Sequence, residues 1–205
     1  MQLIDQPVRH LLAAFRSPDP TPGGGSAAAL AGAIGAALLA MVAGLPKSRA
    51  ATTEDTARLG AAGQRCATLS AELETLVDRD SAAYELVMAA YTSPKGSDEE
   101  KAARSAAIQA AMRVAIAAPL AAMRACAAAA EQGVVIARMG NSSASSDVKV
   151  GFELLGAALR GARLNVETNL DSIKDAEFAA NIRAEVEEFA RAIGHETASV
   201  MRASD

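Results

Sequence analysis

Tryptophan is absent from this chain, aromatic residues make up 3% of it, and its only cysteines and histidines are Cys66, Cys126, His10 and His195. Each shortage removes a class of function. Two cysteines are too few for a disulfide framework, and with two histidines they form no metal-ligand cluster. No metal is expected, and a reduced cytoplasm is the natural setting. No Ser/His/Asp or Cys/His arrangement is legible, which argues against a nucleophilic hydrolase. A net charge of −4 and the lack of a basic run interleaved with aromatics leave no electrostatic footprint for nucleic acid. The β-branched clusters that mark strands are scarce as well.

What is there is alanine, and with it helix. The 205 residues suit one domain, 1–205, with an all-α fold. Each buried alanine contributes little apolar area. Long helices packed closely, with further burial against a second subunit, are therefore expected. Met1 to Phe15 carries Asp5, Arg9 and His10 among its apolar residues and lacks the apolar core of a signal peptide. Gly25 to Leu45 is uncharged and long enough to span a bilayer. Alanine and glycine dominate it, however, whereas insertion is driven by Leu, Ile, Phe and Val. Ala28, Gly32, Ala36, Ala40 and Gly44 recur four apart and make one face almost bare backbone. The pattern predicts a buried central helix and no membrane span.

The turn before that helix, Pro20-Thr21-Pro22-Gly23-Gly24-Gly25-Ser26, organises the rest. Ser26 stands where an N-cap would stand, and the backbone N–H groups beside it make an anion-attracting helix end. It is not a P-loop, because no Gly-Lys-Ser/Thr follows, nor a dinucleotide fingerprint, because no strand precedes it. Taken alone, such a turn before a helix is more often a plain hinge.

Around it the chain reads as helices. Leu3 to Phe15 is amphipathic. A long pattern runs from about Thr53 to Ala90, with Leu59, Leu69, Leu73, Leu76, Val77, Tyr84 and Val87 as its apolar face. Ser97 and Glu100 form a capping box for the next helix, which Pro119 should kink or divide. Gly133 is expected to bend it further. Gly140-Asn141 marks a stop, Asp147 leads into a helix from Val148 to Thr168, and Asp175 caps a last helix from Ala176 to about Arg202.

Few side chains on this frame suit chemistry. Asp80 lies mid-helix near apolar positions, a poor choice by propensity alone. Asp147 sits at a helix start, where capping accounts for it without any function. Asn165 and Asn169 are one turn apart and face the same way, as helix–helix hydrogen bonding would require.

Several stretches together resemble the formiminotransferase-cyclodeaminase family, specifically its cyclodeaminase/cyclohydrolase domain. They are Thr21-Pro22-Gly23-Gly24-Gly25-Ser26 with the alanine run after it, Asp80-x-x-Ala83-Tyr84, Pro94-Lys95-x-x-Asp98-Glu99-Glu100-Lys101-Ala102-Ala103-Arg104, Pro119-Leu120, Gly140-Asn141 with Ser146-Asp147-Val148, and Gly161-Ala162-x-x-Asn165-Val166-x-x-Asn169-Leu170. The likeness covers nearly the whole chain in order. The segment from Pro94 to Pro119 is most similar to the stand-alone bacterial methenyltetrahydrofolate cyclohydrolases.

The resemblance implies an all-helical homodimer that handles a one-carbon unit on tetrahydrofolate, needing no cofactor or metal beyond that substrate. It implies hydrolysis of methenyltetrahydrofolate to 10-formyltetrahydrofolate, with formiminotetrahydrofolate cyclodeamination, or action on another cyclic amidine or imine, as the alternative. A non-catalytic helical dimer is the third reading. No formiminotransferase domain is fused in this sequence, which favours the cyclohydrolase.

Carried over position by position, Pro22, Gly23, Gly24, Gly25 and Ser26 would line the folate site. Asp80 and Asp147 are the acid/base or pterin-orienting candidates, with Asn141 and Asn165 as hydrogen-bonding partners. One departure stands out. Where the family has Thr-x-Gly, consecutive basic residues and an aromatic, Pro46-Lys47-Ser48-Arg49-Ala50-Ala51-Thr52 keeps only Arg49, which bears on the hold on a glutamate tail.

Overall fold

The computed structural model describes residues 2–46 and 52–202. Among these, every regular element is helical: α1 (Val8–Arg16), α2 (Gly24–Gly44), α3 (Thr53–Thr92), α4 (Asp98–Met139), a 3₁₀ turn (Ser142–Ala144), α5 (Ser145–Leu170) and α6 (Ala176–Arg202). The all-α expectation holds.

α2 is the centre, packed against α3, α4 and α5, while α6 covers α4 and α5. The small residues explain how. A Cβ on Gly32 would come within 2.8 Å of the Cys126 sulfur, and one on Gly35 within 2.8 Å of the Gly151 carbonyl oxygen. Backbones therefore approach where larger side chains would hold them apart. Ala28, Gly32 and Ala36 of the expected stripe are buried, but Gly44 is exposed, and the Gly35–Gly151 contact lies on a different side of the helix. Leu39, Met123, Phe152, Leu155 and Leu159 fill the volume between. By length and apolar content both α2 and α4 could cross a membrane, although 44% of each such stretch is buried inside the protein.

Four local expectations need correction. α1 begins at Val8, after Pro7, because Leu3 and Ile4 leave helical geometry to donate their N–H groups to Asp78 at 2.5 and 3.4 Å. Its Val8 and Leu12 are exposed, and only Leu11 is buried. Tyr84 likewise stands largely outside the α3 core face. Gly133 does not end α4, and it seats Phe152, since a Cβ there would lie 2.8 Å from the ring.

Pro119 does not divide α4, which runs through it as one helix. Proline removes the N–H that would bond the carbonyl four residues earlier, that of Ala115. Asn169 on α5 donates its Nδ2 to that same oxygen at 3.1 Å. A side chain from the neighbouring helix thus replaces the missing donor. The two capping boxes, Ser97 with Glu100 and Thr52 with Asp55, form as their sequences dictate, and Asp175 caps α6 by accepting from the Phe178 N–H at 2.9 Å.

Candidate active site

The glycine turn enters helix three residues earlier than Ser26 as a cap would dictate. Gly23 is the cap and Gly24 the first helical residue. Ser26 is fully buried in the first turn, and its hydroxyl is committed to α3 instead. It donates toward the Val77 carbonyl at 2.8 Å and Asp80 Oδ2 at 3.0 Å, with Ser81 Oγ 3.2 Å away. The Ser26 backbone N–H also bonds Asp80. Here lies the physical need for one particular glycine: a Cβ at Gly25 would sit 2.1 Å from Asp80 Oδ1. Gly24, by contrast, has its nearest neighbour, Asn165 Nδ2, at 3.7 Å.

Asp80 is thereby pressed against bare backbone at a helix N-terminus. Burial raises its pKa above the ordinary 3.8, and the bonds from Ser26 offset that only in part. Among the described residues no cation acts on it. A carboxylate whose pKa is raised by burial is better suited to taking up and giving back a proton than an exposed one. Beside it, Thr21, Pro22, Asp78, Ser81 and Glu85 line a cavity of about 420 Å³. Asn165 holds its own helix's Gly161 carbonyl at 2.9 Å and faces Gly24 across the α2–α5 contact. Pro22 through Ser26, Asp80 and Asn165 are thus gathered from three helices. Ser81 joins them, a residue the sequence reading missed although it is Asp80's neighbour.

Asn141 and Asp147 lie elsewhere in the same chain. Asn141 donates its Nδ2 to the Pro46 carbonyl at 2.7 Å, just beyond the C-terminus of α2, and its Oδ1 accepts from the Ser143 N–H at 2.9 Å. It ties two chain ends together. Asp147 is in the first turn of α5, which Ala144 caps without a side-chain bond. Next to them Arg138, Asn141, Ser145 and Lys149 line a cavity of about 340 Å³. α2 has 21 residues, so this end is about 30 Å from the glycine turn. Arg49 falls outside the described residues. Pro46, three positions before it, is at the Asn141 end.

His10 and His195 are exposed. The Cys66 and Cys126 thiols are buried and pushed up to about 12 by that burial, so neither is a nucleophile. Among the described residues no group of three His, Cys, Asp or Glu side chains could hold a metal ion.

Known proteins share both sequence and shape with this chain. The formiminotransferase-cyclodeaminase family model matches residues 7–188. A methenyltetrahydrofolate cyclohydrolase from Methylorubrum extorquens is 38% identical over 89% of this chain and 88% of its own length. A formimidoyltransferase-cyclodeaminase from Sus scrofa is 33% identical over 90% of this chain, which corresponds to 34% of that longer protein. The crystal structure of formiminotetrahydrofolate cyclodeaminase from Thermotoga maritima superposes with a TM-score of 0.87 at 25% identity, covering 98% of this chain and 96% of that one.

Proposed function

The chain belongs to the formiminotransferase-cyclodeaminase family, and from that premise we propose that it hydrolyses 5,10-methenyltetrahydrofolate to 10-formyltetrahydrofolate in the cytoplasm. The observation that carries the reading is Asp80, a partly buried carboxylate without a cationic partner among the described residues, held by both the hydroxyl and the N–H of Ser26. Water adds to the carbon that bridges N5 and N10, and Asp80 takes its proton. The bond from that carbon to N5 then breaks, N5 receives a proton, and the second hydroxyl proton leaves as the formyl C=O forms. The amidinium is a cation and the product neutral, so one proton is released in all. The site's own groups supply the acid/base work.

The active form is a homodimer. From Ala27 to Leu45 the α2 sequence has no polar side chain, yet Ala27, Ile34, Ala37 and Met41 are exposed. Beside them on α5, Asp147, Val150, Leu154, Ala157, Gly161 and Leu164 follow helical spacing along one side, with Val150 50% and Leu164 65% exposed. A second copy is its occupant, because the strip is matched to itself. A two-fold axis near Ile34 lays the two strips antiparallel. The Asp147 end of one subunit then lies at the Gly24–Asn165 end of the other, and the separation of about 30 Å within one chain closes between chains. Asp147 orients the pterin of the partner's site, and Asn141 holds the chain end from which Arg49 follows.

Mixing tests both parts. Asp80→Asn and Asp147→Asn homodimers lose loss of methenyl absorbance, whereas co-refolded mixtures recover roughly a quarter of wild-type activity, since half the dimers are mixed and hold one intact site of two. No recovery would place the two carboxylates in one subunit's site, whereas a fully active Asp80→Asn or Asp147→Asn homodimer would remove that residue from the mechanism. Cyclodeamination is the second reading, favoured by the fold shared with the Thermotoga maritima enzyme. Ammonia release from formiminotetrahydrofolate with an inert methenyl substrate would establish it instead.

A further inference from the structure

The segment Pro94 to Arg104, with three cations and three acids, takes no part in the site described so far, yet its cations help to line a groove. Where the end of α3, the start of α4 and the α5–α6 connection meet, Lys95, Lys101, Arg104 and Lys174 line a cavity of about 500 Å³ together with Tyr91, Ser105, Gln109 and Ser172. No carboxylate is among the lining residues, in a chain whose net charge is −4. Two of these cations, Arg104 and Lys174, are held by uncharged partners. Arg104 donates Nε and an Nη to the Tyr91 carbonyl at 3.2 and 2.9 Å, and Lys174 donates Nζ to Ser105 Oγ at 2.7 Å. Only Lys101 pairs with an acid, Asp98 at 2.8 Å, on the open side of α4's first turn. Gln109 locks the far wall by bonding the Ser172 carbonyl and the Lys174 N–H, both at 2.8 Å.

The groove also lies at the right end of the molecule. Tyr91 is eleven residues beyond Asp80 on α3, about 16 Å along the helix. Ser172 lies seven positions past Asn165, about 10 Å on the same reckoning. Several separated point charges in an open trough suit a flexible chain of spaced carboxylates better than one compact phosphate, which would be met by a single convergent cluster.

We propose that this groove binds the poly-γ-glutamate tail of the folate whose pterin end sits at Asp80. The inference rests on the folate reading above. It assigns tail binding to the α3–α4 tip, in place of the thinned basic run at Lys47 to Arg49.

The test is the ratio of KM for the monoglutamate substrate to KM for the triglutamate, measured with the whole protein and with a Lys95→Gln/Lys174→Gln variant. A ratio of about ten in the wild type should fall to about one in the variant, each exposed pair supplying a few-fold, and raising salt from 50 to 300 mM should shrink the wild-type ratio. A variant that had merely lost structure would worsen both KM values and keep their ratio. An active wild type with a ratio near one, or a ratio the variant leaves alone, overturns the proposal. Pyrophosphate competing better than free tri-γ-glutamate overturns it in favour of a phosphate site. Absence of turnover on methenyl- and formimino-substrates alike would be the failure of the folate reading itself. Binding of tri-γ-glutamate that the variant abolishes would still support the groove in that case.

Discussion

The two ends of α2 carry similar polar inventories and use them differently. At the N-terminal end Ser26 and the glycine backbone converge on Asp80, whose charge no cation among the described residues balances. At the C-terminal end Asn141 spends both halves of its amide on the protein's own backbone, the Pro46 carbonyl and the Ser143 N–H. Structural polar groups are satisfied by the chain they belong to. A group held ready for chemistry is held by others while its own charge stays uncompensated. The contrast separates Asp80 from Asn141 on physical grounds, although both come from equally prominent stretches of sequence.

The sharpest way to break that comparison is Asp80→Asn, which should lower the rate of methenyl absorbance loss by about 10²- to 10⁴-fold with an unchanged helical circular dichroism spectrum. Near-normal turnover in the folded variant would remove Asp80 from the mechanism. Gly25→Ala should come next, at about 10²-fold, because its Cβ, 2.1 Å from Asp80 Oδ1, has to displace the carboxylate. Gly24→Ala is the control: with its nearest neighbour at 3.7 Å it should cost far less, and equal losses would mean that the whole turn, not the Asp80 contact, matters.

Away from the site the effects should appear in stability. Asn169→Ala leaves the Ala115 carbonyl beside Pro119 without its donor, a cost of about 1–3 kcal/mol in denaturant unfolding. The double change with Pro119→Ala should recover most of it, and no recovery would detach Asn169 from the proline. The smallest effect concerns Glu196 on α6. Its Oε2 is buried without a hydrogen-bond partner, and burial, together with the charge of Glu131, lifts its pKa from 4.5 to about 7. The folded state therefore favours the protonated acid, whose contribution is full below pH 4.5 and fades as pH rises through about 7. Melting temperature should fall across that window in the wild type and less in Glu196→Gln. An equal slope in both would discard the assignment.

Much of this was legible before any coordinates. Alanine-rich periodicity gave the long helices, the Ser97–Glu100 capping box and the Asp175 cap gave two of their starts, and the order of motifs gave the family. Asp80 could be picked out because an aspartate inside a helix is disfavoured unless something outside the helix wants it. Pro119 misled, because a proline breaks a helix only when nothing replaces the lost donor, and the replacement comes from Asn169, fifty positions away. Ser26 misled for a related reason: its hydroxyl finds a better partner on α3 than on its own first turn.

Local spacing determined the helices, their caps and the chemical types present at each position, since those follow from contacts within a few residues. Tertiary structure alone decided which polar groups share a site. It brought Gly25 and Asp80, fifty-five positions apart, close enough that a single Cβ would not fit between them, and it left Asn141 and Asp147 at the far end of the helix. It also drew Lys95 and Lys174 into one groove. Long-range proximity depends on how whole helices pack, and no pattern within a single helix encodes that.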